Sequence, residues 1–369
     1  MKKGEILMWG IILIAVFAAA AAGIIYLTAC IGKFGAVKAL AGEKKWLKIL
    51  LSFLILAACF GIAAYCLDVI NAIIITLHAA VFFLLFGGIV KLTAHFSGRE
   101  FTVNWQGWLA LVFTAGYLIY GYIALHRVVQ TDYTLKTEKQ TSLKAALIAD
   151  SHMSTVFDGE GFAAHLKTIE AQNPDLLLIA GDFVDDSTSK ADLLKACEAL
   201  GSMHLKYGVF YCYGNHDKGY YRNKDYTEDE LESALRENGV HVLADEYELI
   251  DNSFYIVGRK DRSRDSRKPM TELLEGIDTS KYIIVMDHQP SAYEEEADSP
   301  ADLVVSGHTH GGQLIPITFV GEWLGMNDRT YGYEQRSGTD FIVTSGIADW
   351  EIQFKTGTKS EYVIINIGA

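Results

Sequence analysis

The sequence predicts an all-α membrane region followed by an α/β domain, and two observations lead to this fold class. Half of the 369 residues are hydrophobic and the mean hydropathy is +0.16, which is high for a soluble protein, and the apolar excess lies before residue 130. Beyond that point, short apolar runs alternate with segments of helical periodicity. We therefore expect a transmembrane region over residues 1–130, a polar linker over 131–142 and an α/β domain over 143–369.

Four long apolar runs predict helices that cross a membrane. They cover residues 6–27, 47–67, 70–90 and 108–125. Each run approaches the ~20 residues that span the hydrocarbon core, and Trp46 and Tyr122 lie where interfacial anchors are expected. A cleavable signal peptide is the alternative for the first run, which follows Lys2 and Lys3. Because the apolar stretch continues to Leu27 without a polar region, a retained helix is favoured.

Positive charges in the short loops indicate the orientation. Four lysines lie in the loop after the first predicted helix, and Lys91 and Arg99 lie in the loop after the third. Such loops stay in the cytoplasm, which places the N-terminus and the α/β domain on the extracytoplasmic face of the cell membrane. Lys2, Lys3 and Arg127 count against this orientation, and cleavage of the first run would reverse it.

Charge also separates the two regions. Ten Lys or Arg residues against four Asp or Glu residues give the first 130 residues a charge of +6, so the remainder carries −19 of the whole-chain −13. An acidic domain argues against a nucleic-acid partner, which requires a basic surface. The five cysteines do not form a disulfide framework.

The α/β domain has three helical patterns and several later strands. The helical patterns cover residues 161–172, 189–203 and 227–237, and the last begins with a capping box from Thr227 to Glu230. Strands at 254–257, 341–344 and 362–367 are expected to complete a second sheet.

Five apolar runs in this domain end in residues that bind metals. These residues are, in chain order, Asp150 and His152; Asp182 and Asp185; Asn215, His216 and Asp217; His288; and His308 and His310. Imidazole nitrogens and carboxylate or amide oxygens are ligands of divalent ions. We expect these strand ends to converge on one rim of a sheet, where α/β folds place their sites.

The same blocks, DxH, GDxxD, GNH followed by an acid, a lone H and GHxH, occur in the order of the calcineurin-like metallophosphoesterase superfamily, which the sequence resembles from about residue 142 to 369. GHTHGGQ at residues 307–313 resembles a bacterial branch often tethered to membranes. The resemblance implies a four-layered α/β-β-α sandwich. Ser151, where leucine is usual, and Met286 and Asp287 before His288 depart from the pattern without replacing a ligand.

The resemblance also implies a centre of two divalent metal ions. One ion would be held by Asp150, His152, Asp182 and His310, and the other by Asp182, Asn215, His288 and His308. Asp182 would bridge the ions, His216 would be the general acid and Asp185 would orient His216. For Asp217 we expect a structural role, because in an extended stretch its side chain should point away from that of His216. The mixture of imidazole and oxygen ligands favours Mn, Fe or Zn over Mg or Ca.

The predicted function is therefore that of a membrane-anchored metal-dependent phosphoesterase. It would hydrolyse a phosphate ester or pyrophosphate bond with a metal-activated hydroxide and a histidine general acid. Tethering favours a lipid-linked substrate, because it raises the effective concentration of membrane-bound molecules. Monoesters and diesters are not distinguished. The alternative is a membrane sensor or scaffold whose metal domain binds a phosphorylated ligand without turnover.

Two segments allow more than one interpretation. Residues 258–268 contain six cations, which would attract a phosphate or an anionic headgroup, or would form a solvated loop neutralised by Asp261 and Asp265. Residues 315–326 include Phe319, Trp323 and Leu324. Core packing is favoured for this segment over an acyl-chain groove or insertion at the membrane interface.

Overall fold

The computed structural model describes residues 3–98, 103–219 and 224–368, and the chain divides into two compact units. The first unit runs to Gly121 and includes Glu351–Gln353. The second unit comprises Tyr122–Trp350 and Phe354–Ala369.

Long helices make up the described part of the first unit. They are α1 (Lys3–Ile31), α2 (Gly35–Ala41), α3 (Lys45–Cys66), α4 (Val69–Ser97) and α5 (Trp105–His126), of which the last turn belongs to the second unit. All but α2 are long and apolar enough to cross a membrane, which confirms the four predicted helices. α4 continues seven residues beyond its predicted end at 90. The prediction used the apolar run alone, whereas the helix continues through more polar residues to a left-handed cap at Gly98.

The connection between α3 and α4 is a tight turn that contains the polar residue Asp68. The Asp68 carboxylate accepts a hydrogen bond from the backbone N–H of Asn71 at 2.7 Å and thereby caps α4. Most large apolar side chains of the helices are exposed, as lipid-facing side chains are, whereas a small cluster around Leu27, Phe83 and Ala110 is buried.

The second unit contains two six-stranded sheets. The first has the order β1-β12-β2-β3-β4-β5 and the second β10-β11-β9-β8-β7-β6. The strands are β1 (Val129–Lys136), β2 (Leu143–Ile148), β3 (Leu176–Ala180), β4 (Val209–Cys212), β5 (Val240–Val242), β6 (Glu246–Ile250), β7 (Phe254–Gly258), β8 (Tyr282–Met286), β9 (Leu303–Ser306), β10 (Gly332–Arg336), β11 (Thr339–Val343) and β12 (Glu361–Gly368).

Helices cover the outer face of each sheet. The helices are α6 (Gly159–Glu170), α7 (Lys190–Gly201), α8 (Glu228–Glu237), α9 (Met270–Leu273), α10 (Tyr293–Ala297) and α11 (Val320–Trp323). α6, α7 and α8 pack on the first sheet, residues of α9 and α10 pack on the second, and alternate strand residues fill the layer between the sheets. This arrangement confirms the four-layered α/β-β-α sandwich. The predicted capping box at Thr227 and Glu230 is present.

Two expectations about the sheets are wrong. The first half of the expected linker is strand β1, which pairs in parallel with β12. β1 is an edge strand whose residues alternate between exposed and partly buried, so it lacks the apolar run that marks a central strand. β12 was expected in the second sheet but lies between β1 and β2 in the first.

Candidate metal centre

Two groups of buried or partly buried side chains stand at the carboxyl ends of four strands. The first cluster consists of Asp150, His152 and His310, and the second of Asp182, His288 and His308, with the ligand atoms of each within 4.8 Å of one another. β2, β3 and β4 of the first sheet and β8 and β9 of the second deliver the predicted site residues. The site therefore lies where two sheets meet, which corrects the expectation of one rim of a single sheet.

The backbone at these positions is strained. Non-glycine residues with positive φ cost about 1–3 kcal/mol each and gather at functional sites. Five of the six cluster residues adopt such angles: Asp150 (φ 56°), His152 (φ 36°), Asp182 (φ 49°), His308 (φ 70°) and His310 (φ 50°). The strain turns side chains of adjacent loops toward common points, where a bound ion would compensate for it.

Two motif glycines are needed for close approach. A Cβ atom at Gly307 would overlap the Asp150 carboxylate, and one at Gly214 would overlap the Asp182 carboxylate. The GHxH and GNH loops therefore press their backbones directly against a ligand from another loop.

Asp182 belongs to the second cluster and also faces the first. Its Oδ2 is 3.1 Å from His288 Nε2 and 3.7 Å from His152 Nε2, and its Oδ1 accepts a hydrogen bond from the His216 backbone N–H at 2.7 Å. Burial raises the pKa of this carboxyl, but His288 and His216 together lower it well below its usual range. A buried carboxylate that faces histidines of both clusters is suited to bridge two cations.

Asn215 and Asp217 follow β4 and have different surroundings. Asn215 Oδ1 is 3.2 Å from His288 Nε2, so it faces the second cluster. The Asp217 carboxylate accepts hydrogen bonds from the backbone N–H groups of Asp182 and Val184 at 2.9 and 3.1 Å. Asp217 thus ties the GNH loop to the GDxxD loop, as its expected structural role requires.

His216 lies beside a histidine of the first cluster. Its ring lies 5.0 Å from the His152 ring and 4.9 Å from the Trp350 ring. Burial lowers the pKa of His216 to about 4, against a smaller opposing effect of Asp182. The imidazole is therefore neutral near pH 7 in the protein alone.

Asp185 lies beside a histidine of the first cluster. Its Oδ2 lies 3.3 Å from His152 Nδ1, and its Oδ1 accepts hydrogen bonds from the N–H and hydroxyl of Ser187. Burial raises the pKa of Asp185, but His152 and Ser187 bring it to about 2. The structure thus places this carboxylate behind a cluster histidine, and its expected role in orienting His216 stays a prediction.

Sequence reasoning missed Asp349 and Lys355. Asp349 Oδ1 lies 2.7 Å from His310 Nδ1, and its Oδ2 is 3.4 Å from Lys355 Nζ. Both side chains are fully buried, and the lysine also donates to the carbonyls of Ser345 and Ala348. No local signal marks Asp349, which lies six residues beyond the end of β11 and outside the motif order.

The cationic segment 258–268 is mostly engaged within the protein. Arg259 is fully buried and contacts Asp287 and Glu296 at 3.2 and 3.0 Å, and Arg267 contacts Asp287 at 2.8 Å. These two arginines fix the residue that precedes His288. Arg259 and Arg267 therefore form neither an anion site nor a solvated loop, so both interpretations are wrong for these two residues.

The donor set fits two divalent cations. Buried carboxylates and imidazoles share a small volume, and a set of buried charges this close requires compensation by cations. Two ions roughly 3.5–4 Å apart are common where clusters share a carboxylate. The two clusters therefore support a dinuclear divalent metal site, with Asp150, His152, Asp182, Asn215, His288, His308 and His310 as the available ligands.

Comparisons with known proteins lead to the same chemistry. A family model described as calcineurin-like phosphoesterase matches residues 143–312. The chain is 32% identical to an uncharacterised metallophosphoesterase of Aquifex aeolicus, over 64% of this chain and 90% of the relative. It is 26% identical to the uncharacterised metallophosphoesterase YkuE of Bacillus subtilis, over 73% and 97%. It is 29% identical to a transmembrane protein with metallophosphoesterase domain of Danio rerio, over 69% and 60%.

Proposed function

Because the chain belongs to the calcineurin-like metallophosphoesterase family, we propose that it is a membrane-anchored phosphoesterase that hydrolyses a phosphate ester or pyrophosphate bond at a dinuclear metal centre. The observation that carries this proposal is that Asp182 contacts histidines of both clusters. Its Oδ2 lies 3.1 Å from His288 Nε2 and 3.7 Å from His152 Nε2. Four helices of the length and hydropathy of membrane spans support the anchor.

In this proposal the side chains divide into two ligand sets that share one carboxylate. Asp150, His152, Asp182 and His310 would hold one ion, and Asp182, Asn215, His288 and His308 would hold the other. When bound, the ions supply neutralisation of phosphoryl charge and activation of water at neutral pH. The ligand types favour Mn, Fe or Zn.

His216 supplies the proton for the leaving oxygen. Its backbone N–H is bonded to Asp182, so the imidazole is held beside the shared carboxylate without occupying a ligand position. Burial lowers its pKa to about 4, and an anionic phosphate bound beside the ring would raise that pKa again. The imidazole would thus take up its proton as substrate binds and lose it to the alcohol that departs.

Full-length protein in detergent, loaded with Mn, tests this function. We expect turnover of a phosphodiester or phosphomonoester with an aryl leaving group, and loss of most of that turnover in Asp182→Asn together with a metal content below two ions per chain. His216→Ala should reduce hydrolysis of an alkyl ester by roughly 10²–10⁴-fold, and that of an aryl ester by less, because a good leaving group needs little protonation.

His204→Ala is the matched control, since His204 is exposed and its Nδ1 lies 3.2 Å from Glu170 Oε1. It should retain the wild-type rate and metal content. If His216→Ala and Asp182→Asn both kept the wild-type rate with two ions bound, the proposed roles would be wrong. Tight binding of a phosphorylated ligand with no product at any metal would favour the sensor or scaffold instead.

The substrate we favour is lipid-linked, as in the membrane-tethered bacterial branch that the GHTHGGQ loop resembles. The anchor is the support for this choice, because it confines the enzyme to the surface where such molecules are concentrated. Mass spectrometry of lipid extracts incubated with the wild type and with Asp182→Asn would identify phosphate-bearing lipids consumed by the wild type alone. An unchanged lipid profile, with an active enzyme, would reject a lipid substrate.

We further propose that the metal domain lies on the extracytoplasmic face. If all four candidate spans cross the membrane, the N-terminus and the second unit would lie on the same side, and the lysine-rich loop after α1 favours the cytoplasm. An alkaline-phosphatase reporter fused after Ala369 should be active, and a truncated fusion after Lys44 should be inactive. The reverse pattern would place the domain in the cytoplasm.

A further inference from the structure

Five large apolar side chains after the GHTHGGQ loop are exposed. Trp323 is 74% exposed and Ile315, Ile317, Phe319 and Leu324 are 49–60% exposed. We call these five residues the apolar surface. The expectation that this segment packs in the core is therefore wrong, and single exposed apolar residues are ordinary whereas a contiguous set indicates an interaction.

The segment around the apolar surface is nearly free of charge. Residues 314–327 contain one ionisable side chain, Glu322, although charged residues make up 21% of the chain. Glu322 Oε2 accepts hydrogen bonds from the N–H and hydroxyl of Thr330 at 3.1 and 2.9 Å, so its charge is held toward a neighbouring loop. Burial of the apolar surface in lipid would therefore carry little cost for desolvation of charge.

The apolar surface is fastened to the segment that precedes β12. The backbone N–H of Ile315 donates to the Thr356 hydroxyl at 3.1 Å. In return, the N–H groups of Thr356 and Gly357 donate to the Gln313 carbonyl at 2.8 and 2.9 Å. The apolar surface is thus held in place by backbone bonds at its start.

The same segment joins the end of the last candidate membrane span. Ser360 N–H donates to the carbonyl of Ala124 at 3.2 Å, and Val129 N–H donates to the Ser360 carbonyl at 3.0 Å. Ala124 lies in the last turn of α5, which belongs to the second unit. The four steps along the chain from Thr356 to Ser360 span at most about 14 Å. The apolar surface therefore begins a short distance from the place where the chain leaves the membrane.

We propose that the apolar surface docks on the lipid bilayer and inserts its side chains at the interface on the side where α5 ends. Tryptophan and large aliphatic side chains suit this boundary, where apolar groups meet headgroups. We propose the bilayer as the partner of the apolar surface, because the candidate span that ends at His126 holds this surface close to the membrane. The inference does not depend on the proposed hydrolysis.

A docked surface would also bring the metal centre to the headgroups. Ile315 follows His310 by five residues, and Gln313, which accepts the bonds from Thr356 and Gly357, lies between them. Any lipid-linked phosphate would then meet the centre without leaving the membrane.

Fluorescence of the full-length protein in nanodiscs tests the docking. Cys59 and Cys66, the exposed cysteines among the described residues, are replaced by alanine, and an environment-sensitive dye is attached to Trp323→Cys or Ile317→Cys. Leu249→Cys is the matched control, since Leu249 is 42% exposed on β6, the strand at the end of the second sheet opposite β10. Lipids that carry a quencher below the headgroup are then introduced.

Dye at 323 and at 317 should emit at shorter wavelength and lose at least half its intensity to the lipid quencher, while dye at 249 should show neither effect. Water-like emission without quenching at both test positions would overturn the proposal. Short-wavelength emission without lipid quenching would also overturn it, because a protein partner or a second copy would then cover the surface. Two label positions guard against local damage from either replacement.

Discussion

The first and second clusters differ in what stands behind their histidines. In the first cluster, His152 Nδ1 faces Asp185 at 3.3 Å and His310 Nδ1 faces Asp349 at 2.7 Å. In the second cluster, His288 Nδ1 lies 2.8 Å from the Ala180 carbonyl. A carbonyl only accepts, so Nδ1 of His288 carries the proton and Nε2 faces Asp182.

This difference teaches that the two ion positions are not equivalent. A carboxylate behind an imidazole fixes its orientation and makes it a stronger ligand than a neutral carbonyl does. In the first cluster, the Asp349 carboxylate behind His310 also forms an ion pair with the buried Lys355. We therefore expect the first cluster to hold its ion more tightly than the second.

Asp349→Ala gives the largest expected effect on this difference. Removal of the carboxylate leaves His310 free to reorient, and loss of such a supporting group typically lowers metal affinity about 10–100-fold. One of the two ions should be weakened, so a titration that shows tight and weaker binding in the wild type should lose the tight phase. Asp349→Asn, which keeps an acceptor for Nδ1, should lose less.

Stability must be separated from affinity in this test. Lys355 would remain buried without its carboxylate in Asp349→Ala, and breaking a buried ion pair costs about 3–5 kcal/mol. Asp349→Ala/Lys355→Met removes both charges and should recover most of the free energy of unfolding without recovering the metal affinity. Wild-type affinity for both ions in the double variant would show that Asp349 serves the fold alone.

The sequence predicts the cluster residues well because each follows an apolar strand. A polar residue directly after a buried run is a local signal, so Asp150 and His308 can be found without knowing which strands are neighbours. Asp349 lies six residues beyond the end of β11 and has no place in the motif order, so this local signal does not predict it.

Features that depend on pairing and exposure could not be predicted in this way. β1 is half polar, so only its partner β12 makes it a strand. The contact of Asp185 with His152 depends on how two loops approach, which spacing does not encode. Trp323 is apolar both in a core and on a docking surface, and only its exposure distinguishes the two.

Asp185→Ala gives a smaller expected effect and is the change that best tests the comparison. If Asp185 supports His152, as the 3.3 Å contact indicates, affinity for the ion of the first cluster should fall by about tenfold, at the lower end of the range for such groups. If Asp185 instead orients His216, both affinities should stay at wild type while alkyl esters, which need the proton, lose more turnover than aryl esters. Asp298→Asn, an exposed acid in the same unit, should change neither quantity. An affinity loss confined to one ion would show that Asp185 supports the first cluster. A leaving-group effect alone would mean that, of the two carboxylates, Asp349 alone makes the first cluster differ from the second.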